Sequence, residues 1–438
     1  MSTVNRRAFL KMAGAMAAMA AIPYRVKAAV AARVVVVGGG FGGATVAKYL
    51  SLWSEGRVAV TLVDANPAHV SCVLSNLVVT GLLADSRIKL GFDTLKTHYG
   101  ITVMQGTAQG FDPSGQTLTV KTATGTQLLD YDYLVLSPGI NFVVPTPSTW
   151  NSALTPHAWI AGLGTNKQTT LLKNQVASLR SGDTFVMTIP KSPYRCPPGP
   201  YERACLVGDY IKRKALSKTK VIVLDANAKI QAEPIAFGNA FTKTYKGIIE
   251  YVPNATVQSV NSSTRTIITS ARTVSNAKVL NYIPNQRAGK ILSSVCDASG
   301  FVPVDPLSYA VTKAGYPNIH VIGDSSKVPA SVDKAVPKSA HMANAEAKVC
   351  ADAILRSLDG ILPDTNIATN SACYSPITRS VGSWLSTNFR YGDIYDAAGQ
   401  VIGKGMHRVD IGEAPNVNSD AFQDMYQWAD ALFKDCYV

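Results

Sequence analysis

The sequence predicts an α/β protein made of two three-layer units and a small C-terminal α+β domain. Three observations carry this prediction. Residues 34–37 are four consecutive valines, a β-branched apolar run typical of a buried parallel strand, and a glycine-rich turn follows them. A second strand–turn–helix–strand pattern runs from Asp183 to Asp225. The composition then changes near residue 366, where strand-like pieces precede an amphipathic tail.

The first turn carries a glycine motif. Gly38, Gly40 and Gly43 have G-x-G-x-x-G spacing, and residues 44–50 contain no Gly or Pro and can form a helix. In a Rossmann-like unit the first glycine permits the tight turn, the second lets the backbone approach a pyrophosphate, and the third allows close helix–strand packing. The order strand, glycine turn and helix therefore predicts dinucleotide binding, and the alternative is a glycine-rich surface loop.

The next strand supports the same interpretation. Residues 58–63 are strand-like and end in Asp64, 21 residues past Gly43. A carboxylate at this place can accept hydrogen bonds from ribose hydroxyls. We therefore assign Asp64 to the cofactor site.

The composition is that of a globular protein with a positive charge. The 438 residues are 47% hydrophobic and carry a formal net charge of +13. Without residues 1–29, which contain five basic residues and no acidic one, the net charge is +8. A positive surface suits an acidic protein partner or an anionic substrate. A dense Lys/Arg run with interleaved aromatic residues is missing from the sequence, so we do not expect nucleic acid binding.

The first 29 residues predict a targeting segment. Arg6 and Arg7 are followed by Phe-Leu-Lys and by an apolar run at residues 12–22. This run is too short for a membrane span, and small residues after it offer cleavage sites. We expect export to the periplasm by the twin-arginine pathway, with an uncleaved N-terminal helix as the alternative. No transmembrane segment is predicted later in the chain.

The second α/β unit has an unusual turn. Residues 190–200 contain five prolines and Cys196. At this turn, α/β units that bind a nicotinamide cofactor have a glycine motif. Proline has no backbone N–H, so this loop is poorly suited to hold another pyrophosphate. The turn therefore predicts a unit without a nicotinamide site.

A late strand returns to the first unit. It ends in Gly323 and Asp324, and Pro337-Lys338-Ser339 precedes a predicted helix at residues 341–355. By analogy with flavin-binding folds, we place Gly323 and Asp324 at the cofactor. The alternative for Asp324 is a helix N-cap.

The seven cysteines predict no metal centre in this chain. None belongs to a C-x-x-C pair, and a C-x-x-C-H sequence is missing as well. The sequence therefore predicts neither a c-type haem attachment site nor a zinc or iron–sulfur site. In an exported protein these thiols enter an oxidising compartment, where disulfides persist.

Seven stretches together resemble the flavoprotein subunit of flavocytochrome c sulfide dehydrogenase, within the FAD-dependent pyridine nucleotide-disulfide oxidoreductase-like superfamily. They are residues 34–44, 71–76, 195–204, 283–290, 321–324, 337–339 and 372–375. The stretch Cys-Pro-Pro-Gly-Pro-Tyr-Glu-Arg at residues 196–203 is long and chemically unusual. The resemblance runs from about Val34 to the C-terminus.

The resemblance implies FAD as the cofactor. Cys72 matches the cysteine that bonds through sulfur to the flavin 8α-methyl group, so covalent FAD is expected. A free cysteine is more often a small buried hydrophobe, which is the alternative for Cys72 alone. Lys338 could place a positive charge near the reduced flavin, or it could be a solvated lysine.

The resemblance also implies a redox disulfide between Cys196 and Cys373, and the alternative is an inert structural disulfide. In the redox role, hydrosulfide would attack one sulfur of the bridge and leave a persulfide on one cysteine and a thiolate on the other. Which cysteine is attacked stays open. Glu202 matches a proton-transfer group of the family, and its alternative is a first-turn acid favoured by the helix dipole.

These assignments define five segments. They are the signal peptide at 1–29, the first part of the FAD-binding domain at 30–160, a central domain without a nicotinamide motif at 161–285, the return part of the FAD-binding domain at 286–365, and a C-terminal flavin-binding and interface domain at 366–438.

The resemblance implies an exported enzyme that oxidises sulfide to sulfur or polysulfide. It would pass electrons to a c-type cytochrome on a separate subunit, as one half of a heterodimer. The alternatives are a sulfide:quinone oxidoreductase and, from another class, a non-catalytic flavin-binding partner of a larger assembly.

Overall fold

A computed structural model describes residues 30–332 and 334–438. The predicted export segment at residues 1–29 lies outside the described residues. The elements fall into three groups along the chain.

The N-terminal group begins with the valine strand. Its elements are β1 (Ala32–Val37), α1 (Phe41–Trp53), β2 (Val58–Asp64), β3 (Ala68–Val70), α2 (Ser75–Val79), β4 (Lys89–Gly91), α3 (Asp93–Thr97), β5 (Thr102–Gln105), β6 (Thr107–Asp112), β7 (Thr117–Thr122), β8 (Gly125–Asp130), β9 (Tyr133–Leu136) and β10 (Ile140–Val143).

The central group contains the proline-rich turn. Its elements are α4 (Gln168–Ala177), β11 (Thr184–Ile189), α5 (Gly199–Arg213), β12 (Lys220–Asp225), α6 (Pro234–Asn239), β13 (Ile249–Val252), β14 (Val257–Asn261), β15 (Thr266–Thr269), β16 (Thr273–Val274) and β17 (Val279–Asn281).

The C-terminal group first returns to the N-terminal sheet. Its elements are β18 (Asn285–Ala288), β19 (Val302–Pro303), β20 (Ile319–Val321), β21 (Ser326–Lys327), α7 (Ala340–Leu358), β22 (Ala368–Pro376), β23 (Gly382–Tyr395), β24 (Val401–Glu413) and α8 (Ser419–Tyr437).

The first sheet is parallel and has the strand order β20-β9-β1-β2-β5. Strand β1 lies in its centre, and its valines 34–37 are all buried. Both faces of the strand are buried at these valines, so neither face carries polar residues there. This explains why the valines do not alternate with polar residues. Helices α1 and α7 pack together beside this sheet.

The second sheet is also parallel, with the order β13-β12-β11-β17. Separate groups of buried residues pack on its faces, one of them including helix α5. Two parallel α/β units are therefore present, which confirms the predicted fold class.

The C-terminal sheet is antiparallel, with the order β22-β23-β24. The last helix, α8, begins at an N-cap where Asn418 Oδ1 accepts a hydrogen bond from Ala421 N at 2.7 Å. Its apolar residues Phe422, Met425 and Phe433 are buried in the core of the first unit. The amphipathic tail is thus a packed helix whose apolar face is covered by this chain.

Candidate active site

The glycine turn between β1 and α1 has the contacts expected of a phosphate-binding turn. Gly38 has a φ of +94°, and a Cβ there would lie 2.3 Å from the Ser137 carbonyl oxygen. A Cβ at Gly43 would lie 1.7 Å from the Gly38 carbonyl oxygen. At Gly40, in contrast, the nearest atom to a Cβ would be His69 Cε1 at 3.7 Å. The first and third glycines therefore allow close chain packing, while Gly40 borders open space at the start of α1.

Asp64 lies at the end of β2, beside this turn. Its Oδ2 accepts a hydrogen bond from Gly39 N, and its Oδ1 accepts one from Asn66 N, both at 2.7 Å. The side chain is half-buried. It lines a cavity of about 470 Å³, which we call the nucleotide cavity and which Gly38, Gly40 and Cys72 also line.

A second cavity continues from the first. This bridging cavity, of about 110 Å³, shares Gly40, Cys72 and Arg195 with the nucleotide cavity and extends to Asp324 and Cys196. The glycine turn, the carboxylate of Asp64 and the elongated space between them fit an FAD molecule. Gly38 and Gly40 would face the pyrophosphate, Asp64 the ribose, and Cys72 the region further along toward the cysteines.

The three cysteines assigned from the sequence line one small cavity. Cys72, Cys196 and Cys373 all line a cavity of about 60 Å³, which we call the sulfur cavity. The described residues that line it are all buried or half-buried. Cys196 and Cys373 are 177 residues apart in the sequence, and only the tertiary fold brings them together. All three are free thiols in this structure.

Local backbone geometry presents Cys196 to this cavity. It has a φ of +55°, its N–H donates to Lys338 O at 2.7 Å, and its carbonyl accepts from Gly199 N at 3.0 Å. A positive φ is uncommon for a residue other than glycine and is frequent at functional sites. The proline-rich turn therefore places a cysteine at the start of α5.

Both cysteines are weak acids in this environment. Burial raises the pKa of the Cys196 thiol well above its usual range. Burial, together with the negative charges of Glu233 and Glu202, raises the pKa of Cys373 to about 12. Because a thiolate is the nucleophilic form of cysteine, chemistry that begins from the dithiol needs a proton acceptor close by.

Glu202 can be that acceptor. It lies in the first turn of α5 and lines the sulfur cavity with the three cysteines. Its Oε1 accepts a hydrogen bond from Asn76 Nδ2 at 2.9 Å, and Arg203 Nε donates to Asn76 Oδ1 at 2.8 Å. Burial raises the pKa of Glu202 to about 8. The carboxyl group can therefore take up and release a proton near neutral pH.

Gly323 and Asp324 lie on the cofactor side. Both line the bridging cavity, and Gly323 has a φ of +72°. Asp324 Oδ2 accepts a hydrogen bond from Arg195 Nε at 2.5 Å. The N-cap of helix α7 is Ser339, whose Oγ accepts from Met342 N, so Asp324 does not have the capping role considered as an alternative.

Lys338 lines none of the three cavities that Cys72 lines. Its Nζ donates to Ser326 O at 2.8 Å and lies 3.8 Å from the centroid of the Phe301 ring. It lines two neighbouring cavities, one of which reaches Cys373, but it does not line the bridging cavity. Burial lowers the pKa of Lys338 to about 8. Its proposed role near a reduced flavin stays a prediction.

Arg195 is a residue that sequence reasoning missed. Its guanidinium contacts Asp324, reaches Trp159 O at 3.3 Å and lies 3.8 Å from Cys72 Sγ. It therefore crosses between the cofactor-side residues and the cysteines. Arg195 begins the stretch 195–204 that carries part of the family resemblance, directly before Cys196, but no role was assigned to it.

Arg203 and Asn76 were also missed. Arg203 is 1% exposed and donates to His157 O, Ala158 O and Asn281 Oδ1. It fixes the segment before Trp159 against α5 and holds Asn76 toward Glu202. Both residues lie in stretches that carry the family resemblance, residues 71–76 and 195–204, but no role was assigned to either of them.

Two further cysteines are excluded from this site. Cys436 is fully buried and accepts a hydrogen bond from Thr45 Oγ1 at 3.1 Å, so it is not available to a second molecule. Cys205 lies on the buried side of α5 and lines neither the sulfur cavity nor the bridging cavity. Among the residues that the structure describes, no cluster of side chains could hold a metal ion.

Fold and site together define a flavin-binding oxidoreductase with cysteines beside the cofactor space. Two family models match: pyridine nucleotide-disulphide oxidoreductase at residues 32–159, and the central part of the sulfide dehydrogenase [flavocytochrome c] flavoprotein chain at residues 169–284.

Three known proteins of sulfide oxidation are similar to this chain. The sulfide dehydrogenase [flavocytochrome c] flavoprotein chain of Chlorobaculum thiosulfatiphilum is 56% identical over 46 residues, which are 10% of this chain and 94% of that sequence. The mitochondrial sulfide:quinone oxidoreductase of Dictyostelium discoideum is 23% identical over 375 residues, 82% of this chain and 78% of that protein. The structure of the sulfide:quinone oxidoreductase from Aquifex aeolicus has a TM-score of 0.67 at 18% identity, covering 92% of this chain and 91% of that chain.

The chain belongs to the family of the sulfide dehydrogenase [flavocytochrome c] flavoprotein chain. The family resemblance seen in the sequence is thereby confirmed.

Proposed function

We propose that this protein is an exported FAD enzyme that oxidises sulfide to sulfur or polysulfide and passes the electrons to a c-type cytochrome subunit. One observation supports this chemistry: Cys196, Cys373 and Glu202 line the same small cavity, and Cys72 lines both that cavity and the space that fits FAD. A thiol pair, a proton acceptor and an electron acceptor are the components that sulfide oxidation through a disulfide requires.

We propose the following role for each residue. Cys196 and Cys373 exchange between a disulfide and two thiols, and sulfide supplies the electrons. Glu202 receives protons released at the sulfurs, and Asn76 holds its carboxyl group in place. FAD, when bound, accepts the two electrons and releases them singly to a cytochrome. We propose Cys72 for covalent attachment of FAD, and its position on both the sulfur cavity and the nucleotide cavity supports this.

The haem of the acceptor belongs to a separate chain in this proposal, because this sequence contains no C-x-x-C-H. The family description, with its flavocytochrome c, supports such a partner. The positive charge suits an acidic partner surface. Export through the twin-arginine segment at residues 1–29 would bring the protein to the periplasm.

A sulfide:quinone oxidoreductase is the second candidate, supported by similarity over most of the chain to two such enzymes. The apolar face of helix α8 is buried in the first unit. No helix in the described part of the chain is long and apolar enough to cross a membrane.

The deciding experiment is an anaerobic titration of the purified flavoprotein with sulfide and, separately, with NADH, followed by flavin absorbance. We expect sulfide to bleach the flavin and NADH to leave it unchanged. Bleaching by NADH would show that the proline-rich turn does not exclude a nicotinamide. Failure of both would favour the non-catalytic flavin-binding alternative.

The electron acceptor is tested on the sulfide-reduced protein. We expect rapid reoxidation by a c-type cytochrome and slow reoxidation by a soluble ubiquinone analogue. The opposite order would assign the protein to the quinone-reducing class. Mass measurement of the denatured protein tests covalent FAD, which should be lost in Cys72→Ala.

A further inference from the structure

A separate cavity reaches Cys373 from the side away from Cys72. This outer cavity, of about 400 Å³, is formed by residues of the proline-rich turn, the segment before α7 and the C-terminal sheet. Cys373 lines it, whereas Cys72 and Cys196 do not. Cys373 therefore borders both the sulfur cavity and the outer cavity, and Cys196 borders only the cofactor side.

The outer cavity opens to solvent. Five residues of its wall are exposed: Ser192, Pro193, Gln231, Ala335 and Ile411. The sulfur cavity, in contrast, has no exposed residue in its wall. Gly38, Gly40, Asp64 and Asp324, which would hold FAD, line the nucleotide or bridging cavity and not this one, whereas Lys338, also predicted beside the flavin, lines the outer cavity. A route through the outer cavity to Cys373 thus stays open with the cofactor in place.

The charge of the wall suits an anion. Among the described residues that line the outer cavity, Lys338 and Arg408 are the charged ones, and both are basic. Both are half-buried. The volume far exceeds the roughly 30 Å³ share of a single water-sized molecule, so a chain of several sulfur atoms has room.

We propose that the outer cavity binds the anionic sulfur species, hydrosulfide and a growing polysulfide, and that Cys373 is the sulfur they attack. This inference rests on the proposed function and adds the site of attack and the binding chamber. Arg408 is its specificity residue, because it supplies one of the two positive charges in the wall of the cavity.

The chemical step balances as follows. Hydrosulfide attacks Cys373 Sγ of the Cys196–Cys373 disulfide, the S–S bond breaks, and Cys196 leaves as a thiolate with the electron pair. Cys373 then carries a persulfide. A second hydrosulfide attacks the outer sulfur, the bond to Cys373 Sγ breaks, and one proton passes to Cys373. The products are HS₂⁻ and two reduced cysteines, whose two electrons pass to the flavin of the proposed function.

The first test locates the persulfide. The oxidised holoprotein receives less than one equivalent of sulfide anaerobically, is quenched with iodoacetamide and is digested for peptide mass analysis. We expect the additional sulfur on Cys373. Additional sulfur on Cys196, or reduced flavin without sulfur on Cys373, overturns the assignment. If sulfide does not reduce the flavin at all, the proposed function fails as well.

The second test probes the charge of the cavity without turnover. The dithionite-reduced holoprotein is alkylated with anionic iodoacetate or with neutral iodoacetamide, and modification of Cys373 is followed by peptide mass. We expect Arg408→Gln to slow iodoacetate about threefold relative to iodoacetamide, the effect of losing one half-exposed charge. An unchanged ratio overturns the role of Arg408.

Arg390→Gln is the matched control. Arg390 pairs with His407 on the neighbouring strand, is exposed, and does not line the outer cavity. We expect this variant to keep the wild-type ratio. An equal decrease in both variants would show that only the overall charge matters, and it would overturn the assignment of the cavity.

Discussion

The two parallel units of this protein carry equivalent turns with opposite chemistry. In the first unit, the turn between β1 and α1 is rich in glycine, and a Cβ at Gly38 or Gly43 would collide with backbone. In the second unit, the turn between β11 and α5 is rich in proline and presents Cys196. Both turns follow the carboxyl end of a parallel strand, where such sheets place ligand sites.

The comparison shows that the architecture fixes where a site lies, while the turn residues decide what the site does. Glycine exposes backbone N–H groups to a phosphate. Proline removes such donors. The second turn instead supplies the sulfur of Cys196 and, six residues later in the first turn of α5, the carboxyl group of Glu202. The predictions below test this division, from the largest effect to the smallest.

The strongest test removes the sulfur of the second turn. On the proposed function, Cys196→Ser and Cys373→Ser each lower the rate of flavin reduction by sulfide by about 10³-fold or more, because each removes a partner of the covalent step. Flavin content should stay unchanged, since the glycine turn is intact. Stopped-flow absorbance measures the rate, and Cys205→Ser is the control, expected to behave as wild type.

The reverse test damages the first turn. In Gly43→Ala the new Cβ would lie 1.7 Å from the Gly38 carbonyl oxygen, so α1 must move away from β1. We expect a loss of about 3 kcal/mol in the free energy of unfolding, at the upper end of overpacking effects, and loss of bound FAD. Chemical denaturation and flavin content measure both effects.

Gly40→Ala separates packing from cofactor approach. Its Cβ meets only His69 Cε1 at 3.7 Å, so the fold should tolerate it, while FAD binding should weaken. Equal losses of stability in Gly40→Ala and Gly43→Ala would contradict the separate roles of these glycines.

The proton acceptor is tested by pH. The pKa of Glu202 is raised to about 8, so its basic form accumulates as the pH rises through this value. The rate of flavin reduction should therefore rise through pH 8 in the wild type. In Glu202→Gln it should fall by about 10²-fold and follow only the ionisation of hydrogen sulfide. A mutant that keeps the wild-type profile would leave Glu202 as a helix first-turn acid.

The smallest effect concerns Glu233, which is fully buried and accepts a hydrogen bond from Ser375 Oγ at 2.6 Å. Burial raises its pKa to about 7, above the value in the unfolded chain. The native state therefore keeps the Glu233 proton up to a higher pH than the unfolded chain does. Ionisation of this carboxyl group lowers the free energy of unfolding as the pH rises. Between pH 6.5 and 8 the loss is about 1 kcal/mol.

Glu233→Gln should reduce that pH dependence. Urea unfolding of wild type and variant at pH 6.5 and 8 measures it. Activity is the useful contrast, because Glu233 lines neither the sulfur cavity nor the outer cavity. An identical pH dependence in both proteins would exclude Glu233 as its source.

The sequence by itself determined the local parts of this protein. It located the valine strand, the glycine turn, the acid at the end of β2 and the proline-rich turn, because each depends on residues adjacent in the chain. The predicted strand at residues 184–189 coincides with β11. The family motifs also singled out Cys72, Cys196, Cys373 and Glu202.

Tertiary structure alone decided which of these residues meet. Cys373 reaches Cys196 through the pairing of β22 with β23 and the packing of that sheet on the two units. Packing between distant segments also determines the contacts of Arg195, the burial of Cys436 and the position of Lys338 on the outer cavity. Sequence patterns encode the conformation of short segments. Contacts between segments more than a hundred residues apart depend instead on how apolar faces pack, and no local pattern in a single sequence specifies these pairings.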